Sequence, residues 1–340
     1  MNGRWIVYFL LSIMGFAYGQ NQKEQPILYY SDDCAIKITP GAGPRVQKSW
    51  NPFFTADFIY WTVRQDGMFY AVSGGNAINP SKGSVYEPDW SWDPGFKIGL
   101  GFNLPHDDWD IFAQYTWIDS HAEDSVSKNP GTTTLLPYWV VNGSVIALID
   151  AKARWDISYN DLTLEMARNS YLSQYLKLRV HVGFEAAWIY QDYKATLTDV
   201  NNFQNRLDLK QDFWGVGLRA GLDTSWQFTK NISFYGDLAL ATLWGQFDVD
   251  RKERQSQGGL SNTTFNTGAK PHTLEPVIAI QAGLRWETWV DQDRLHFLLQ
   301  AGWEHQVWIL HNEVIKNLME PDHGGDLILQ GLTIRGRIDF

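Results

Sequence analysis

From residue 53 to the C-terminus, apolar and polar side chains alternate with a period of two over stretches much longer than the roughly five or six residues of a usual soluble strand. In the last stretch Ile328, Gln330, Leu332, Ile334, Gly336, Ile338 and Phe340 share one face, and Leu329, Gly331, Thr333, Arg335, Arg337 and Asp339 share the other. Within residues 175–190, Leu176, Leu178, Val180, Val182, Phe184, Ala186 and Trp188 oppose Lys177, Arg179, His181, Gly183 and Glu185. Residues 213–226 set Trp214, Val216, Leu218, Ala220, Leu222 and Trp226 against Gly215, Gly217, Arg219, Gly221 and Asp223, and 95–103 set Phe96, Ile98, Leu100 and Phe102 against Lys97, Gly99, Gly101 and Asn103.

Long strands with charges and glycines on one face and aromatic residues near the ends of the other are what lipid demands of a spanning sheet. The bilayer core offers no partner to an open sheet edge, so the sheet closes on itself; its outer face is apolar between aromatic girdles, and its inner face is polar. The sequence therefore predicts an all-β transmembrane barrel, antiparallel and up-and-down, over residues 53–340. Trp61, Trp117, Trp155, Trp188, Trp214, Trp226, Trp244, Trp286 and Trp303 fall near candidate strand ends or on the apolar face, as girdle residues would.

Short polar connections at 105–108, 169–173, 229–231 and 291–293 alternate with longer Gly-, Pro-, Ser- and Asn-rich ones at about 75–93, 121–145, 193–209, 249–272 and 312–325. Short periplasmic turns and long external loops give that alternation. The strands expected are 53–74, 94–104, 109–120, 146–168, 174–191, 210–227, 231–248, 273–289, 294–311 and 326–340, which makes ten, with both barrel ends periplasmic. Gln65-Asp66-Gly67 inside the first could be a hairpin turn, which leaves twelve as the alternative. Along the fourth strand Asp150, Lys152, Arg154 and Asp156 share a face with Ser158, after which the polar set shifts to Asp161, Thr163 and Glu165; a bulge at Tyr159-Asn160 would produce that shift.

The 340 residues carry 28 Lys+Arg against 38 Asp+Glu, a net charge of −10, with 17 Trp and a single Cys. A disulfide-stapled miniprotein or a thiolate-ligated metal site needs more cysteines, and the acidic balance argues against nucleic acid as a partner. After residue 19 no apolar run approaches the roughly 20 residues of a spanning helix. The N-terminus, with Arg4, an apolar run from Trp5 to Ala17 and then Ala17-Tyr18-Gly19, predicts a signal peptide over 1–19. Residues 20–52 are then a periplasmic segment. In it, Cys34 lacks a preceding lipobox and is either a free thiol or half of a disulfide to another molecule.

Ile38 to Pro44, Phe54 to Trp61, Arg64 to Gly67, Trp92 to Gly101 and Asn103 to Asp110 resemble pore-forming outer-membrane proteins of the Legionella major-outer-membrane-protein type, also numerous in environmental chlamydiae. Residues 162–190 and 212–244 are similar too. The resemblance implies a surface-exposed, porin-like barrel in a bacterial outer membrane and carries no catalytic set. It also implies that the terminal aromatic, Phe340, is an assembly signal for the outer-membrane insertion machinery.

As lumen residues the alternation singles out Lys97, Asp150, Lys152, Arg154, Asp156, Lys177, Arg179, Glu185, Arg219, Asp223, Asp237, Arg285, Glu287, Glu304, Arg335 and Arg337. In a water-filled pore such charges set the field felt by ions; in a barrel of about ten strands they can equally pair and plug the interior. Two functions follow: passive diffusion of ions and small hydrophilic solutes, or a plugged surface barrel acting through its external loops. Lipid, the insertion machinery, solutes and a homo-oligomer are the expected partners, with no cofactor and no metal. An enzyme is not expected: there is no Gly-x-Ser-x-Gly, no His-Glu-x-x-His and no repeated His/Asp pairing.

Overall fold

The computed structural model describes residues 29–30, 36–37, 42–44, 51–74, 82–104, 108–129, 134–138, 147–257, 260–290, 294–313 and 325–340. The chain forms two units, Met1–Pro40 and Gly41–Phe340. In the first, Tyr29–Tyr30 pairs antiparallel with Ile36–Lys37. The predicted signal peptide and Cys34 lie outside the described residues.

The second unit is a closed barrel of ten strands: β1 (Pro52–Gln65), β2 (Trp92–Asn103), β3 (Trp109–Ser127), β4 (Leu148–Tyr171), β5 (Leu176–Asp199), β6 (Gln204–Gln227), β7 (Ile232–Gln257), β8 (His272–Val290), β9 (Leu295–Trp308) and β10 (Leu327–Asp339). Each pairs antiparallel with its neighbours, and β10 closes on β1 with Ile338 opposite Phe54. Ten is the expected number. The Gln65-Asp-Gly segment is a turn, with Gly67 at φ 85°, but it starts no barrel strand. It ends β1 and leads into Ala71–Gly74, which pairs with Val85–Tyr86 and Thr134–Pro137.

Strands β4 to β7 are 24 to 26 residues long, whereas about 9–11 cross a bilayer. Their outward face explains the excess. On β5 it reads Leu178, Val180, Val182, Phe184, Ala186, Trp188 and Tyr190, then Asp192, Lys194 and Thr196; on β6 it runs from Trp226 to Trp214 and then through Asp212, Lys210, Asp208 and Arg206. The inward face makes the opposite change, from Lys177, Arg179, His181 and Glu185 to Ala187, Ile189, Tyr193, Ala195 and Leu197. Within lipid the wall is apolar outside and polar inside. Beyond the upper aromatic girdle of Trp188, Trp214, Trp244 and Trp303 it is polar outside and apolar inside, as a sheet standing in water around its own core must be.

That reversal corrects three expectations. From Ala151 onward burial on β4 alternates, with Ala151, Ala153, Trp155, Ile157, Tyr159, Asp161, Thr163 and Glu165 all inward, and the pairing runs through Tyr159 opposite Ile189 and Asn160 opposite Trp188 with no shift there. There is no bulge at Tyr159-Asn160; the polar residues change face because the surroundings change. The stretch 193–209 is not a loop, since β5 and β6 continue to a tight turn at 200–203. Much of 249–272 is sheet as well, β7 reaching Gln257 and Leu260–Ala269 pairing back onto it.

Candidate functional site: a lumen in two layers

The inward residues of the lipid-spanning half are charged and largely paired. Arg179 on β5 donates to Asp110 Oδ1 at 2.7 Å on β3 and to Asp223 Oδ2 at 2.7 Å on β6. Arg219 reaches Glu185 at 2.6 Å and Glu165 at 3.2 Å, and His181 lies 3.4 Å from both Glu165 and Asp223. Lys97 Nζ meets Glu304 Oε1 at 2.6 Å, and Thr333 Oγ1 donates to Glu304 Oε2 at 3.0 Å. Arg335 forms a fork onto Asp57 at 3.0 and 2.8 Å. At the periplasmic rim Asp339 accepts from Arg337 and sits 2.8 Å from His296 Nδ1. Planar guanidinium forks suit such cross-strand carboxylates, because both partners keep their hydrogen bonds where water is scarce.

The structure thus brings Lys97, Lys177, Arg179, Glu185, Arg219, Asp223, Asp237, Arg285, Glu287, Glu304, Arg335 and Arg337 to the inner face. Four other residues expected in the lumen, Asp150, Lys152, Arg154 and Asp156, are on the outside. Lys152 and Arg154 keep 63% and 57% of their side-chain surface in water, while their neighbours Ala151, Ala153 and Trp155 are buried. They belong to the part of β4 beyond the girdle, where charge faces solvent and the interior is a core. Trp61 and Trp155, expected in girdles, are likewise inside, each at 0% exposure.

Above the charged layer lies one the sequence did not disclose. Trp61, Trp155, Tyr159, Tyr193, Phe213, Phe247 and Trp308 project inward at 0–1% exposure. The Tyr159 and Trp308 rings meet at 6.0 Å, Trp308 and Phe213 at 6.1 Å, and Phe213 and Phe247 at 4.6 Å. Since β4 and β9 stand on opposite sides of a ten-stranded ring, the Tyr159–Trp308 contact spans its diameter. Gly215 and Gly245 give the Phe213 ring its room, since a Cβ at either would collide with it. Buried polar pairs tie the layer together: Tyr159 Oη donates to Gln306 Oε1 at 3.2 Å, Trp155 Nε1 to Gln191 Oε1 at 3.2 Å, and Gln191 Nε2 to Gln65 Oε1 at 3.3 Å. His311 Nδ1 lies 2.9 Å from Glu275 Oε1, and Met68, Tyr70, Ala71 and Leu135 pack on top. Inward aromatics at the distal ends of the strands were the available signal; Trp61 and Trp155 were assigned to girdles instead, and Tyr193 falls in the stretch 193–209 read as a loop.

The outer wall also gathers Ser91, Asp93 and His121. Ser91 Oγ donates to Asp93 Oδ2 at 2.5 Å, and His121 Nδ1 lies 3.8 Å from Asp93 Oδ1. A hydrolytic triad places the imidazole between nucleophile and carboxylate; here the carboxylate is central and accepts the serine's hydrogen bond, so no imidazole stands between Ser91 and Asp93. Among the described residues no three His, Cys, Asp or Glu side chains are grouped to hold a metal ion.

Several solved barrels are similar to the chain. The outer membrane protease OmpT from Escherichia coli shares 9% identity at TM-score 0.42, over 85% of this chain and 96% of its own. A major outer membrane protein from Thermus thermophilus shares 11% at TM-score 0.30, over 85% and 99%. The Pseudomonas putida toluene transporter TodX shares 10% at TM-score 0.26, over 85% and 89%. A search of curated proteins returns no match. The model of the family described as Legionella pneumophila major outer membrane protein precursor matches residues 42–340; with the closed barrel and its apolar belt, the chain belongs to the Legionella major outer membrane protein family and resides in the bacterial outer membrane.

Proposed function

We propose that this outer-membrane protein is a surface-exposed barrel closed at rest, which serves the cell through its external wall and loops rather than as a permanently open porin. The observation that carries the reading is the inward aromatic layer, which meets itself across the diameter of the ring at Tyr159 and Trp308. An ion crossing it would leave water and salt-bridged carboxylates for a stack of apolar rings, and uncompensated charge in such surroundings costs many kcal/mol. The external wall, mixed in charge and rigid, is a suitable scaffold for contacts with other molecules.

A second reading keeps the porin: the polar lower lumen favours passage of ions and small hydrophilic solutes, with the aromatic layer as the gate. Conductance of the purified protein in a planar bilayer separates the two. The closed barrel gives a silent trace, and Trp308→Ala together with Phe213→Ala introduces conductance steps. Stable unit steps from the unaltered protein would establish the porin instead.

A further inference from the structure

Below the aromatic layer, at the periplasmic end, the lumen holds a cavity of about 250 Å³ whose edge is formed by Gly43 and Pro44. Most charges on its wall are spoken for. Arg179, Arg335 and Arg337 are engaged by Asp110 and Asp223, by Asp57 and by Asp339 respectively. Two cations differ. Among the described residues no carboxylate oxygen lies within 4.0 Å of Lys177 Nζ. Arg285 gives its Nε proton to Gln300 Oε1 at 3.1 Å and rests its guanidinium 5.2 Å over the Tyr235 ring, so its terminal nitrogens have no acceptor among the described residues.

Gln300 stands beside Arg285. It is 2% exposed and lines the same cavity. Its carbonyl oxygen is held by Arg285, and its Nε2 has no hydrogen-bond partner among the described residues. Thr55, also 2% exposed and lining the same cavity, has an Oγ1 with no partner among the described residues. Buried donors without acceptors are costly and rare in finished structures. A gap in bonding at Gln300 next to a surplus of positive charge at Lys177 and Arg285 is the complement of an oxyanion.

We propose that this cavity is a binding site for a small oxyanion, the carboxylate or phosphate of a solute entering from the periplasm, held by Lys177, Arg285 and Gln300. Carboxylate and phosphate share the feature being recognised: a compact negative group with several acceptor lone pairs, matched by a guanidinium edge, an ammonium and an amide. Glu287 and Asp237 also face the cavity. Glu287 lies 3.8 Å from His296 Nε2, and Asp237 Oδ1 has no partner among the described residues. These two carboxylates keep the surplus small, so the site selects a low-charge ligand and repels a polyanion. At about 250 Å³ the cavity is smaller than the roughly 300–1,000 Å³ of pockets that take drug-sized ligands, which suits a small anion. The site lies beneath the aromatic layer, so it stands whether or not that layer opens.

Isothermal titration of the full chain in detergent micelles, with sodium phosphate and with sodium acetate at constant ionic strength set by chloride, tests the site. Saturable one-site binding is expected for at least one of the two, and which one saturates identifies the ligand chemistry. Lys177→Gln and Arg285→Gln should each weaken binding by about tenfold or more, while Lys194→Gln on the outer wall leaves it unchanged. Heat-modifiable gel mobility verifies that each variant is folded; if Arg285→Gln fails that check, Lys177→Gln alone carries the comparison. No saturation with either anion, or equal affinity in wild type and Lys177→Gln, overturns the proposal and leaves the cavity as a water pocket.

Discussion

Lys97 and Glu304 meet inside the barrel with their side chains 5% and 7% exposed, and Lys97 Nζ also sits 4.7 Å from the centre of the Trp61 ring. Removing two charges from water costs several kcal/mol per ion, which their attraction offsets only when the remaining hydrogen-bonding capacity is filled. Here Thr333 serves one oxygen of Glu304 and the indole face serves the ammonium. Glu304→Gln would strand the buried ammonium and should destabilise the barrel by about 3–5 kcal/mol. Lys97→Met combined with Glu304→Leu removes both charges and should stay much closer to the parent, within about 1–2 kcal/mol. Urea unfolding in lipid vesicles, followed by tryptophan fluorescence, measures both. If the single and double variants lose the same stability, the pair is not what holds β2 to β9 across the lumen.

A strand of 24 residues crosses three surroundings, and its face polarity records each. On β6 Ala220 points outward at the middle of the apolar belt, midway between Trp214 and Trp226. On the neighbouring β5 Thr196 points outward beyond the girdle, opposite Arg206. Ala220→Arg should therefore cost about 2–4 kcal/mol, the cost of a cation at mid-bilayer depth, and Thr196→Arg less than about 0.5 kcal/mol. Vesicle unfolding again reads the difference; equal costs would mean that the apolar belt reaches farther up the wall than Trp188 and Trp214. The same change of surroundings explains what could be read in the sequence. Period-two alternation, glycines on the inner face and short turns identified the closed antiparallel barrel and its ten strands, because within lipid the pattern has a single solution. Lys97, Arg179, Arg219, Glu304 and Arg335 were recognisable as inward for that reason. Asp150, Lys152, Arg154 and Asp156 were not, because assigning polar residues to the lumen holds only as far as the lipid does. Beyond it the rule inverts, and the aromatic layer of Trp155, Tyr159 and Phe213 was hidden by the same inversion.

At the scale of the whole molecule, closure depends on β10 reaching β1, with Arg335 opposite Asp57 and Asp339 opposite Phe53. Phe340 follows immediately, its amide donating to the Pro52 carbonyl at 3.1 Å and its ring 47% exposed at the periplasmic rim. Two roles are open to that ring. As a girdle residue it contributes what any outward aromatic contributes at that height; as an assembly signal it acts because it ends the last strand. Phe247, which the sequence places at an external loop border, is no comparison for it, because its ring is fully buried in the aromatic layer and its loss would disturb the core. Phe102 is a matched one: it points outward on β2 at 44% exposure near the same rim. If girdle burial were all that mattered, Phe340→Asp and Phe102→Asp would lower outer-membrane abundance alike. A signal read at the terminus makes Phe340→Asp much the more severe of the two in cells, while the two purified, refolded proteins unfold at similar urea concentrations. Immunoblots of outer-membrane fractions beside the refolded proteins separate assembly from stability, and equal abundance in the two variants would reduce Phe340 to a girdle residue.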